Sequence, residues 1–166
     1  MKRLICIMLV FALSSFLFTG CKTKKNSAGA IARKQAEIIL ECLKTGEKEE
    51  LKALFCERVK NTHNLDKEIQ EAIDFIDGEI VGDVKLEAMF ESGSAVTDGM
   101  VIDSHITPKI KKIKTSADKE YSIYFHAYII NANDNYVGIT KIDIYEEDDS
   151  KEVEDLNSVR IGEYVY

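Results

Sequence analysis

Apolar positions follow three regimes along this chain. Leu4 to Phe18 is an unbroken uncharged run of 15 residues. Between residues 28 and 76 apolar side chains recur every three or four positions. From residue 79 onward they alternate or cluster in short stretches. The middle regime predicts three amphipathic helices. The first carries Ala28, Ile31, Ala32, Ala36, Ile39, Cys42 and Leu43 on one face and ends at Gly46. The second places Leu51, Leu54, Phe55 and Val59 on one face, with Glu47, Glu49 and Glu50 in its first turn. The third starts at Asn64 as N-cap, carries Leu65, Ile69, Ala72, Ile73 and Ile76, and stops at Gly78.

The last regime predicts strands. Ile80, Val84, Leu86 and Met89 mark one over 79–90, and residues 91–99, rich in Ser, Gly, Thr and Asp, read as a turn or flexible loop. Residues 100–106 and 109–115 read as a strand interrupted at Pro108, which lacks a ladder donor. Tyr121 to Ile130 is the clearest strand, and a turn cluster at 131–135 joins it to Tyr136–Tyr145 as a long hairpin. Val159–Tyr166 reads either as a short final strand or as a frayed end. Helices followed by antiparallel strands predict an α+β domain with its N-terminal helices packed on one face of a curved sheet.

The first regime is a separate matter. Lys2 and Arg3 precede an apolar run too short for a membrane span, which takes about 20 residues. It has the form of a secretory signal. It closes on Leu17-Phe18-Thr19-Gly20-Cys21, which resembles a bacterial lipobox. That resemblance implies a diacylglyceryl group on the Cys21 thiol and cleavage just before it. The expected organisation is a signal peptide over 1–20, a lipidated Cys21 with a flexible basic tether to residue 30, and a single α+β domain over 31–166. The expected location is the extracytoplasmic face of the cell membrane, held by the lipid on Cys21.

Three further stretches carry a family resemblance. They are Ala36-Glu37-Ile38-Ile39, then Phe75-Ile76-Asp77-Gly78-Glu79-Ile80-Val81 at the helix-to-sheet junction, then Glu120-Tyr121-Ser122-Ile123-Tyr124-Phe125 entering the hairpin. Over about residues 30–146 the chain resembles a family of uncharacterised Firmicutes lipoproteins with a nuclear-transport-factor-2-like cone. The resemblance implies that fold and that location. It carries over no catalytic residue.

Charge narrows the partners. The chain has 22 basic and 29 acidic residues, a net charge of −7, so nucleic acid is not an expected partner. Cys42 and Cys56 fall on or beside apolar stripes, on helices whose geometry does not bring them together, and are expected to stay unbridged. His63, His105 and His126 show no metal-ligand spacing, and neither a metal nor a cofactor is expected. His63 belongs to an interhelix loop. Asp103-Ser104-His105 is only a local run.

Strand alternation sets Tyr124, His126 and Tyr128 on one face and Ile123, Phe125, Ala127 and Ile129 on the other. The second face is core. The first is either the half-exposed outer side of a sheet or the lining of a pocket or partner surface, and it is the candidate binding site. Asp77 and Glu79 flank Gly78 at the mouth of the expected cone. A ketosteroid-isomerase-like enzyme would need an Asp base and a Tyr donor there, and nothing in the sequence selects such a pair. Lys109, Lys111, Lys112 and Lys114 serve either as edge protection or as contacts for an anionic polymer or headgroup. The expectation is therefore a non-catalytic domain that binds a small molecule or an envelope protein. The alternative is a small enzyme on the same cone.

Overall fold

A computed structural model describes residues 27–82, 84 and 89–165. The signal, Cys21 and most of the tether lie outside the described residues, as does part of the strand expected over 79–90. Four helices come first: α1 (Ala28–Thr45), α2 (Glu49–Leu54), α3 (Glu57–Thr62) and α4 (Leu65–Phe75). Six strands follow among the described residues: β1 (Ile80–Val81), β2 (Met89–Thr97), β3 (Met100–Thr115), β4 (Glu120–Asn131), β5 (Gly138–Glu146) and β6 (Ser158–Gly162). They form one antiparallel sheet in the order β1-β3-β4-β5-β6, with β2 on the same side of β3 as β1. The domain is α+β, and the sheet curls into a half-barrel.

The helix ends obey their local chemistry. Ser27 caps α1 by accepting from the Ala30 N–H, and the helix opens at Ala28, the first residue of its expected apolar face. Gly46 closes α1 with its N–H bonded to the Cys42 carbonyl. The Asn64 side chain accepts from Lys67 N–H at the start of α4. At the other end of α4 the fully buried Tyr121 hydroxyl accepts from the Asp77 N–H at 3.0 Å.

The expected second helix is two helices. Phe55 and Cys56 are extended between α2 and α3. The cause is tertiary: the Cys56 N–H donates to the Ile139 carbonyl at 2.9 Å, and Phe55 pairs with Ile139 at the start of β5. Gly138 allows that approach. Its φ is +126°, and a Cβ there would lie 2.8 Å from the Leu54 carbonyl oxygen and 2.9 Å from the Cys56 nitrogen. Phe55 still reaches the core, because an extended residue can point inward as well as a helical one.

Two strand expectations change. The loop expected over 91–99 is most of β2, and the connection to β3 is a two-residue turn at Asp98-Gly99, with Thr97 paired to Met100. Both turn residues have positive φ, 51° and 77°, the requirement of a type I′ hairpin. Pro108 does not interrupt β3, which runs through it as one 16-residue strand. The fixed φ of Pro is compatible with extended backbone, and Pro108 falls between the β4 pairings of Ile106 and Lys109, where it is not called on to donate. A bulge at Lys111-Lys112, with Lys112 at φ 60°, keeps both Ile110 and Ile113 inward.

The core lies between the helices and one face of the sheet. Ile39, Phe55, Ile76, Ile123 and Phe125 are buried there, joined by Leu51, Ile69, Ile106, Ile110, Tyr121, Ile142 and Ile144. Leu54, Ile73 and Ile129, expected with them, pack against the cluster and are partly buried. Cys42 and Cys56 are free and buried. Burial pushes the Cys42 thiol up to about 11, so it packs as a small apolar group. No helix among the described residues is long and apolar enough to cross a membrane.

Candidate functional site

The face of the sheet turned away from this core is built by strict alternation. On β4, Ser122, Tyr124, His126 and Tyr128 point to it. On β5, the pairs His126–Lys141, Tyr124–Asp143 and Ser122–Tyr145 place Lys141, Asp143 and Tyr145 on the same side. On β6, Arg160 pairs with Asp143. On β3, His105 pairs with Tyr128 and Lys109 with Tyr124. The result is a band of aromatic and charged side chains across four strands.

Part of this band forms a pocket of about 210 Å3, lined by Thr107, Tyr124, His126, Lys141, Asp143, Tyr145, Val153 and Tyr164. Tyr164 reaches it from the chain just beyond β6. The Tyr124 and Tyr145 rings meet edge-on with centroids 5.5 Å apart. Tyr164 sits edge-on to His126 at 5.5 Å, and the Lys141 ammonium lies 3.6 Å from the centre of the Tyr164 ring.

Asp143 anchors the charges. Its carboxylate accepts from Lys141 Nζ at 2.6 Å and from Arg160 Nε at 2.6 Å. The Lys141 and Asp143 side chains are only 8% and 5% exposed, whereas that of Arg160 is 58% exposed. Lys109 stands 3.9 Å from the centre of the Tyr124 ring.

His126 is buried and held neutral. Burial pushes its pKa down to about 4, and the neighbouring His105 and Lys141 add to the shift. Its Nδ1 is 2.8 Å from Thr140 Oγ1, and that hydroxyl donates to the His126 carbonyl at 3.4 Å. Thr140 reaches this position because it occupies the bulge between the pairings of His126 and Ala127.

The three expected binding residues thus stay together but do not play equal parts. Tyr124 and His126 line the pocket. Tyr128 stands beside it, 4.9 Å from the His126 ring, and donates to the Val165 carbonyl at 3.3 Å. His105 extends the band, 5.4 Å from His126, with Asp103 at 3.3 Å from its Nδ1. His63 is not a loose surface group. It caps α3 and meets Glu68 at 2.9 Å, while Glu68 also accepts from the Gly162 N–H. Asp77 is on the exposed rim and pairs with Lys119 at 3.5 Å. The lysines of β3 divide: Lys109 joins the aromatic band, and Lys111 and Lys112 sit at the bulge between the stretches paired to β2 and β1.

Lys141, Asp143 and Tyr145 were legible as a second alternating row, since Ile142 and Ile144 mark the core phase of β5. Arg160 and Tyr164 carry no comparable signal. A larger depression of about 660 Å3 lies among α2, α3 and the start of α4. It is more open, and Lys52 and Lys60 on its walls are already paired with Asp66 and Glu57, so it offers less than the smaller pocket. Among the described residues no three metal-ligating side chains converge.

These features define an α+β domain with helices on one face of a half-barrel sheet and an aromatic, charged pocket on the other. Residues 38–147, about two thirds of the chain, match a family described as a domain of unknown function (DUF5104), and the chain belongs to that family. The match takes in Tyr124, His126, Lys141, Asp143 and Tyr145, and stops short of Arg160 and Tyr164. No curated protein matches the chain.

Proposed function

We propose that this protein is an extracytoplasmic bacterial lipoprotein, held at the cell membrane by a lipid on Cys21, whose nuclear-transport-factor-2-like domain binds a small molecule without transforming it. The observation that carries the binding role is the pocket on the open face of the sheet. Tyr124, Tyr145 and Tyr164 give it rigid walls with hydroxyl tips, and the Lys141–Asp143 pair gives it fixed polarity. An envelope protein docking across the wider band, with Tyr128 and His105 in the contact, is the macromolecular form of the same role.

The order of helices before a curled antiparallel sheet supports the cone assignment. The sequence ending in Gly20-Cys21 supports the anchor. A small enzyme on this scaffold would need a base and a proton donor aimed at one point. Asp77, the carboxylate considered for that task, lies on the rim and away from the pocket tyrosines.

Two experiments test the reading. Cys21→Ser is expected to abolish incorporation of radiolabelled lipid into the chain and to leave the precursor uncleaved; normal labelling of that variant refutes the anchor. For the domain, a ligand screen by thermal shift compares the wild type with Tyr124→Ser/Tyr145→Ser, which removes two of the pocket walls. Ligands that stabilise the wild type are expected to lose about tenfold or more in affinity in the variant, since each aromatic wall contributes on the order of 1 kcal/mol or more. Equal stabilisation of the two proteins excludes this face.

A further inference from the structure

The charges around the pocket do not balance. Lys141 and Arg160 share a single carboxylate, Asp143, and Lys109 adds a third cation over the Tyr124 ring. Lys141 is more than nine-tenths buried, so its charge is screened poorly by solvent. The nearest carboxylates elsewhere do not close the gap. Asp103 is engaged by His105 and by the Asn131 amide. Glu147 acts on Lys109 and offsets part of its charge, which leaves Lys141 and Arg160 against the one carboxylate of Asp143. The turn that brings Val153 to the rim carries Glu152, Glu154 and Asp155, all exposed to water. In a chain of net charge −7, this pocket is a local reversal of sign.

Arg160 does not line the pocket itself but stands at its edge, held to the lining residue Asp143, and an added anion would be met there. Among the described residues Arg160 engages Asp143 through Nε alone. A guanidinium has five donors in a planar fork, so the two Nη groups remain for a second acceptor. Lys141 Nζ spends one donor on Asp143 and faces the Tyr164 ring. Neutral His126 has no charge of its own to set against the anion.

The walls set the other half of the ligand. Tyr124, Tyr145 and Tyr164 present ring faces and edges, and Val153 closes the rim. At about 210 Å3 the space falls below the roughly 300–1,000 Å3 typical of drug-sized ligands, which limits the occupant to a single ring with a short substituent.

Resting on the binding role proposed above, we infer that the pocket takes a small single-ring compound bearing one carboxylate, the ring between the tyrosines and the carboxylate on Arg160 and Lys141. The alternative source of the same charge is a free inorganic anion without a ring.

The test uses the full chain in detergent micelles, titrated separately with sodium benzoate, its neutral isostere benzamide, and sodium phosphate. The ring signals of His126, Tyr124 and Tyr164 are followed by NMR. Benzoate is expected to shift all three saturably, with a Kd at least about tenfold below those of benzamide and phosphate. Arg160→Gln is expected to remove the preference for benzoate over benzamide, and Arg160→Lys, which keeps the charge, to retain part of it. The exposed position of Arg160 leaves the fold intact, and unchanged core methyl signals check this. If benzamide binds as tightly as benzoate, the carboxylate inference is overturned while the pocket itself stands. If phosphate binds as tightly as benzoate, the ring is overturned and a plain anion site remains. If none of the three shifts the pocket signals, the inference is overturned, and the binding role rests on the thermal-shift screen alone.

Discussion

Phe125→Ala is expected to destabilise the domain by about 3–5 kcal/mol. Phe125 is 1% exposed and sits in the middle of β4, paired with Ile142 on β5. Its ring lies in the cluster that joins the helices to the sheet. Truncation removes the transfer free energy of the ring and leaves a cavity that strands on both sides hold open, because the ladder prevents them from closing in. For a domain of this size the loss corresponds to a fall in Tm of roughly 6–20 °C. Thermal unfolding followed by circular dichroism measures it. A fall of only a degree or two would mean that the ring is not packed as described. The substitution also separates the two faces of β4. Tyr124 and His126, its neighbours, point the other way, so at temperatures where the variant is folded its pocket signals should persist.

That phase was readable because Ile123, Phe125 and Ala127 alternate with Tyr124, His126 and Tyr128 without a break, and a strand buried on one side has only one register that hides the apolar set. The end signals of α1 and α4 were readable for a similar reason: Gly46 and Asn64 act on backbone groups within a few residues. The break between α2 and α3 was not. Glu49 to Thr62 has helical spacing throughout, and what opens it is a hydrogen bond from Cys56 to Ile139, far along the chain. Local periodicity contains no term for that partner.

The β2–β3 hairpin has a local signal that competes with another. Asp98-Gly99 between Val96 and Val101 is a two-residue turn signal, masked by the small polar residues before it, which also have the composition of a loop. The pocket divides along the same line. Tyr124 and His126 follow from the alternation of β4, and Lys141, Asp143 and Tyr145 from that of β5. Arg160 and Tyr164 enter only because β6 returns beside β5, a pairing that the short run Ser158–Gly162 does not announce. The site is therefore half local pattern and half topology, and its cationic character depends on the topological half.

Asp143→Ala is expected to be costly by a different route. The substitution removes few atoms, but it leaves the Lys141 ammonium buried beside Tyr164 and His126 without its counter-charge. Arg160, with its side chain more than half exposed, can turn to water; Lys141 cannot do so without leaving the sheet face. Breaking a buried pair by removing one partner costs about 3–5 kcal/mol, and urea unfolding should show that loss as a lower midpoint at unchanged slope. Replacing both members, Lys141→Met with Asp143→Leu, removes charge and counter-charge together and is expected to recover most of the stability. A double variant as unstable as Asp143→Ala would mean that shape, not charge, is what the site requires. The same variant bears on the ligand. If the pocket accepts carboxylates, millimolar sodium acetate should raise the midpoint of Asp143→Ala by occupying the place of the missing side chain, since a ligand that binds only the folded state stabilises it in proportion to RT ln(1 + [L]/Kd). The wild type, which acetate enters without the ring that the tyrosines hold, should respond less, and the Lys141→Met/Asp143→Leu variant, which lacks the buried cation, least. Rescue confined to the single variant would identify Lys141 and Arg160 as an anion-receiving pair, and an equal response in all three would show that acetate acts on the chain as a whole.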